Sequence, residues 1–193
     1  MWKQLLPGLR MTIVLTILTG LVYPGVVTGL CQLLFPRQAD GSLITRNGQV
    51  VGSSLIGQNF SRAEYFQPRL SAAGDGYDPT ASGGSNLGPT NRKLADRVKA
   101  SVETFRKDNP DYNGPIPADL LTTSASGLDP DVSPEAAAAQ VARVSKARGA
   151  SAEDINHLVS QYTQSRDLGF LGEPRVNVLL LNLALDERFP VKK

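Results

Sequence analysis

The chain has one cysteine, one histidine and one tryptophan in 193 residues. The cysteine, Cys31, lies inside an uncharged apolar run. The rest of the chain can therefore form neither a disulfide nor a thiolate metal site. With His157 the sole imidazole, a His/Cys metal cluster is excluded, and no metal is expected on this chain. A Ser-His-Asp triad would have to use His157, and no Gly-x-Ser-x-Gly elbow exists to present a nucleophile. No Walker A pattern occurs, and there is no internal repeat or low-complexity tract. Excess charge is also missing. The net charge is +2, and Lys3 and Arg10 supply both surplus charges. Taking these two from the 20 basic residues leaves 18 basic against 18 acidic over residues 36–193. A neutral domain has no electrostatic reason to bind nucleic acid or an anionic surface.

What is present begins with the apolar run. Met11 to Phe35 is 25 residues without a charge. As a helix it spans roughly 37 Å, enough to cross a hydrocarbon core of about 30 Å with some tilt. Pro24 interrupts it, which neighbouring helices can tolerate by re-satisfying the freed carbonyl. Gly25 and Gly29 have a small-xxx-small spacing that lets another helix approach closely. A cleaved signal peptide is the alternative, but its apolar region is usually about 7–15 residues. Leu30 precedes Cys31 where a lipoprotein would have a small residue. An uncleaved anchor is expected. Lys3 and Arg10 precede the helix with no acid, whereas Asp40 lies between Arg37 and Arg46 after it. This bias favours a cytoplasmic N-terminus and an external domain. The organisation is a cytoplasmic stretch 1–10, a transmembrane helix 11–35 and a soluble domain 36–193.

The soluble part reads as α+β, a compact domain with one long, ordered, Gly-rich loop. Asn47-Gly48 between two β-prone runs signals a hairpin with a type I′ turn. Leu55-Ile56 and Phe60 read as a continuing strand. The stretch from Ser61 to about Thr90 has no helical or alternating pattern, and its aromatics Tyr65, Phe66 and Tyr77 argue for an ordered loop pinned to the body. Leu94, Val98, Val102 and Phe105 mark an amphipathic helix ending before Asn109-Pro110. Ser133-Pro134-Glu135 opens a helix to about Arg148, with Gly149 as its cap. Ser151 to Asp154 resembles a capping box for the next helix, which turns Ile155, Leu158, Val159 and Tyr162 inward and leaves His157 exposed. Within Val176–Asp186 the first half reads as a buried strand and the second as a short helix.

Chemistry-bearing residues are sparse. Gly83-Gly84, within Ser82-Gly-Gly-Ser-Asn86, could expose backbone N–H groups to an anion, or form a tight turn at positive φ. The carboxylates Asp75, Asp78, Asp129 and Asp131 sit beside Gly or Pro and read as Asx-turn formers. Asn59-Phe60-Ser61 is a formal glycosylation sequon. A membrane-anchored Ser–Lys hydrolase has no pair of residues to single it out. An anchored domain without its own catalytic kit reads as an accessory subunit rather than an enzyme.

Several runs are recognisable together. They are Tyr23-Pro24, Gly52-Ser-Ser-Leu-Ile-Gly-Gln-Asn-Phe60, Tyr65-Phe66 with Arg69 and Ser71-Ala72, and Tyr77-Asp-Pro-Thr-Ala-Ser-Gly-Gly-Ser-Asn86. Thr123-Ser-Ala-Ser-Gly-Leu-Asp129, Ser133-Pro134, Arg143-Val144, Ala147-Arg148, Val176-Asn-Val178 and Leu181-Asn-Leu-Ala-Leu-Asp186 follow in order. With these runs the chain resembles the C subunit of the bacterial Kdp potassium-transporting ATPase over nearly its whole length. One departure is Leu180, where the resemblance implies an acid. The resemblance implies a bacterial inner-membrane complex that takes up potassium. Its partners are a channel-like subunit, a P-type ATPase subunit and a small one-helix peptide. ATP and Mg belong to the ATPase subunit, and this chain has no cofactor of its own. It lacks the Asp-Lys-Thr-Gly phosphorylation motif, so it is not the hydrolysing subunit. Two roles follow from the resemblance. One is an external accessory subunit that stabilises the channel-like subunit. The other is a catalytic chaperone that raises ATP affinity, with Ser82, Gly83, Gly84, Ser85 and Asn86 as the nucleotide contact. Orientation favours the first, since ATP is cytoplasmic. Partner-contact candidates are Tyr23, Pro24, Gly25, Gly29, Gln58, Asn59, Tyr65, Phe66, Arg69, Tyr77 and Asp78.

Overall fold

The computed structural model describes residues 2–191. Met1 of the N-terminal stretch and Lys192-Lys193 of the soluble part lie outside the described residues. The chain divides into two units, residues 1–51 and 52–193.

The first unit is dominated by one long helical rod. It comprises α1 (Trp2–Ile17), a π turn (Leu18–Val22) and α2 (Tyr23–Leu34). Lys3–Leu34 is 32 residues with a mean hydropathy of 1.9 and no buried share, so it is long and apolar enough to cross a membrane. The helix starts before Met11, at Trp2, and continues through Pro7. Pro24 explains the π turn. A proline ring collides with the carbonyl four residues back, here Gly20. The wider turn moves that contact, and Tyr23 N–H donates to Leu18 O, five residues back. Two of the rod's threonines bond back into it: Thr12 Oγ1 donates to Gly8 O at 3.0 Å and Thr19 Oγ1 to Leu15 O at 2.7 Å. Phe35 leaves the helix, Pro36–Ala39 forms the short α3, and β1 (Leu43–Arg46) pairs with β2 (Gln49–Ser53). Between them Asn47 (φ 52°) and Gly48 (φ 79°) both take positive φ, as a type I′ turn requires.

In the second unit α4 spans Arg92–Asp108, β3 Asp131–Val132, α5 Pro134–Ala138, α6 Val141–Arg148, α7 Ala152–Tyr162, β4 Thr163–Gln164, β5 Arg175–Asn177 and α8 Val178–Arg188. The antiparallel sheet has the order β3-β5-β4, with Val132 and Thr163 both opposite Val176. The core gathers Val132 and Val176 from the sheet with Val144, Ile155, Leu158, Leu181 and Leu185 from the helices, all essentially inaccessible.

Capping signals hold as read. Ser133 Oγ accepts from Ala136 N at 3.0 Å, Ser151 Oγ accepts from Asp154 N at 3.0 Å, and Gly149 closes α6 at φ 64°. His157 is exposed. Three expectations need correction. The helix expected from Ser133 to Arg148 is two helices broken at Ala139-Gln140, where the Gln140 side chain turns back to the Ala136 carbonyl and reaches Gln67. The strand expected in the first half of Val176–Asp186 ends at Asn177, whose carboxamide accepts from Leu180 N at 3.1 Å and so starts α8. Leu55-Ile56 do not extend β2. Ser53 Oγ accepts from Leu55 N at 3.1 Å and turns the chain, leaving both residues exposed. The amphipathic helix read from Leu94, Val98, Val102 and Phe105 is α4, with Phe105 buried and the other three half-buried.

Candidate functional site

Residues 54–90 contain no named helix or strand, yet the loop is fixed. Five consecutive carbonyls explain how. Arg143 Nη1 donates to Ala63 O at 2.6 Å and Tyr65 O at 2.9 Å. Arg148 Nε donates to Glu64 O at 2.8 Å. Asn182 clasps Phe66, accepting from its N–H and donating to its carbonyl, both at 2.9 Å. Gln140 does the same for Gln67, at 2.8 and 3.1 Å. Side chains thus replace the ladder that a strand would have supplied. Both arginines are buried. Arg143 also donates to Asn109 Oδ1 and Gln140 Oε1, and burial pulls its pKa down from the usual guanidinium value. Arg148 ion-pairs with Asp186 at 3.0 Å and lies 4.8 Å from the centre of the Tyr65 ring. The Tyr65 hydroxyl donates to Asp186 as well.

The second half of the loop packs on residues 123–129. Ser71 Oγ donates to Gly127 O at 2.6 Å and accepts from Tyr77 N at 2.8 Å. The half-buried Tyr77 donates to Arg69 O at 2.7 Å, and burial followed by the nearby Asp129 drives its pKa well above the phenol range. A Cβ on Gly57 would lie 2.5 Å from both Asp129 O and the Tyr77 ring, so only glycine fits there. Gly83-Gly84 is a correction. Neither has positive φ, because the pair is not a tight turn but a run laid flush on the 124–127 backbone. Gly83 N donates to Ser126 O at 2.8 Å, Ser82 Oγ to the same carbonyl at 3.0 Å, and a Cβ on Gly84 would sit 2.9 Å from Ala125 O. Ser85 is half-buried; Asn86 is exposed at φ 51°. Asp78 is an Asx-turn former as expected, accepting from Thr80 N and Oγ1, which hold its carboxyl below the usual range.

The structure brings Tyr65, Phe66, Arg69, Tyr77 and Asp78 onto this one loop system, with Gln58 half-buried and Asn59 exposed beside it. Phe66 is corrected as a partner-contact candidate: none of its surface is exposed, and it packs in the core. Tyr23, Pro24, Gly25 and Gly29 belong to the other unit and are exposed, with open space where either glycine would carry a Cβ. Gln140 and Asn182, the clamp's amides, went unpicked by sequence reasoning. Amide side chains at otherwise apolar helix positions were the available signal.

A cleft of about 850 Å³ opens below the loop system. Tyr112, Pro115, Ile116 and Pro174 form its apolar wall. It also holds Asp119, Asp129, Asp131, Glu135 and Glu173, against only Arg69 and Arg175. Arg69 pairs with Asp129 at 2.9 Å and Arg175 with Asp131 at 3.6 Å. Burial, then the neighbouring Asp129, raises the Asp131 pKa above its usual value.

Residues 5–187 match the profile of the family described as KdpC: K+-transporting ATPase, c chain. A potassium-transporting ATPase KdpC subunit from Myxococcus xanthus is 58% identical over 190 residues, 98% of this chain and 90% of the relative. The subunit of the same name from Gemmatimonas aurantiaca is 58% identical over 187 residues, 96% of this chain and 94% of its own. That of Rhodospirillum rubrum is 55% identical over 191 residues, 99% of each chain. With a profile match spanning the rod, the clamp and the loop system, the chain belongs to the KdpC family.

Proposed function

We propose that this chain is the single-span accessory subunit of an ATP-driven potassium-uptake complex in a bacterial inner membrane. Its N-terminus is cytoplasmic and its folded domain external. There it stabilises the assembly of a channel-like potassium subunit and a P-type ATPase subunit, with a small one-helix peptide completing the complex. Potassium is the cargo, ATP and Mg act on the ATPase subunit, and this chain performs no hydrolysis.

The observation that carries this reading is how the glycine loop spends its donors. An anion cradle needs free backbone N–H groups, whereas Gly83 N–H is bonded to Ser126 O and Gly84 is pressed against Ala125. This supports a structural surface over a nucleotide contact. The charges support the same side of the membrane: Lys3 and Arg10 before the rod, Arg37, Asp40 and Arg46 after it. Fusing alkaline phosphatase after Lys193 tests the topology, because that enzyme is active only outside the cytoplasm. Full activity is expected. A well-expressed but inactive fusion overturns the external placement and returns the nucleotide role to consideration.

A further inference from the structure

Between β4 and β5 the chain makes a tight hairpin-like tip that is apolar and faces outward. Leu168 is 81% exposed, Phe170 70% and Leu171 49%. The tip is held from within. Asp167 and Leu171 exchange two backbone hydrogen bonds at 2.9 Å, and Gly169 N donates to Arg166 O at 3.1 Å. Leu168 (φ 53°) and Gly169 (φ 82°) both take positive φ. A bulky residue in the left-handed region is unusual, and the surrounding bonds hold it there. The result is a preorganised apolar knob whose ordering cost is met before any partner arrives.

Two features choose the occupant. At the base of the knob, Arg166 pairs with Glu173 and Arg175 with Asp167. The flanks are therefore neutral and offer nothing to anionic lipid headgroups. The segment leaving the knob, Gly172 to Arg175, lines the 850 Å³ cleft, where five carboxylates face two arginines. In a domain with no net charge overall, this local surplus attracts a cation and repels an anionic surface. Asp119 is used once, accepting from Ser133 N at 2.7 Å, and lies in the open cleft.

We propose that the Leu168–Leu171 knob and the acid-rich cleft at its base form one docking surface, whose occupant is another subunit of the complex presenting an apolar pocket with a lysine or arginine beside it. The knob fills the pocket and the basic side chain enters the cleft. This rests on the accessory-subunit reading and gives it a place on the domain.

The test places a photo-crosslinking residue at Phe170 in the full chain, within the assembled complex in its own membranes. An adduct to another subunit is the expected product. An adduct to lipid alone, to a second copy of this chain, or no adduct from an intact complex overturns the proposal. In parallel, the double variant L168S/F170S is compared with wild type and with a strain lacking the chain. Recovery of the complex should fall at least tenfold while the variant's melting temperature holds. A variant that needs no knob, in a complex that still needs the chain, overturns the proposal alone. A complex that forms equally well without the chain overturns the assembly reading itself.

Discussion

The clamp and the cleft handle surplus charge in opposite ways. In the clamp a buried cation, Arg143, makes its hydrogen bonds to neutral oxygens alone: the carbonyls of Ala63 and Tyr65 and the side-chain amides of Asn109 and Gln140. In the cleft, carboxylates outnumber guanidiniums five to two, with Glu135 and Glu173 exposed and the three aspartates half-buried. The first site is complete at Arg143, whose Nε, Nη1 and Nη2 each donate to an oxygen. The second is incomplete, and Asp131 feels it, its carboxylate disfavoured by burial and by Asp129. A charge that serves the fold is surrounded by dipoles; a charge left for something else keeps an open side.

That contrast can be broken most severely at Arg143. Arg143→Met keeps the bulk but takes the donor from Ala63 O, Tyr65 O and Asn109 Oδ1, and leaves Gln140 Oε1 with Gln67 N alone. The expected loss is about 3–5 kcal/mol, at roughly 1–3 kcal/mol for each buried acceptor left without a donor. That corresponds to a fall in melting temperature on the order of 10 °C for a domain of this size. Arg143→Lys should not rescue it, because a point ammonium cannot span the fork. Thermal melts of the detergent-solubilised chain decide, and a loss under about 1 kcal/mol would mean that the clamp is not a stability element.

Asn182→Leu is the narrower cut. It leaves the Phe66 N–H and carbonyl buried and unpaired, at about 2–4 kcal/mol in total. Amide exchange at Phe66 should accelerate accordingly. Exchange as slow as in wild type would show that the loop is held by packing instead.

The smallest change sharpens the cleft side. The folded-state pKa of Asp131 is raised, so the folded chain binds this proton more tightly than the unfolded chain. Its ionisation therefore costs stability as pH rises through that raised value. Asp131→Asn should melt slightly higher than wild type at pH 7, and the gain should vanish below about pH 3.5, where both states are protonated. An equal gain at both pH values would sink the electrostatic account.

Much of the local structure was legible, because its causes are local. Asn47-Gly48, Ser133-Pro134, Ser151 and Gly149 each carry their own turn or cap chemistry. The rod was legible from the absence of charge. The order of the long loop followed from its aromatics, yet its means of support did not, since Arg143, Arg148, Gln140 and Asn182 reach it from 73 to 116 positions away. Phe66 was misjudged for the same reason: within the loop it looks available, and only distant helices close over it. Asn177 shows the local limit. An apolar run serves strand and helix equally, and one carboxamide set the boundary. Gly83-Gly84 failed differently, since glycine permits both positive φ and close backbone approach, and the sequence does not say which is used.

The π turn at Leu18–Val22 has a geometric consequence for the rod. One extra residue in a turn offsets everything after it by about 100° of azimuth. The half bearing Lys3 and Arg10 and the half bearing Gly25 and Gly29 are thus clocked independently, like two keys cut on one shaft. Removing one residue between Leu18 and Val22 would restore the ordinary winding, swing the glycine stripe to another compass bearing, and leave span, hydropathy and flanking charge almost as they were. Insertion and orientation would survive, and any neighbour that docks on the stripe would find a different face.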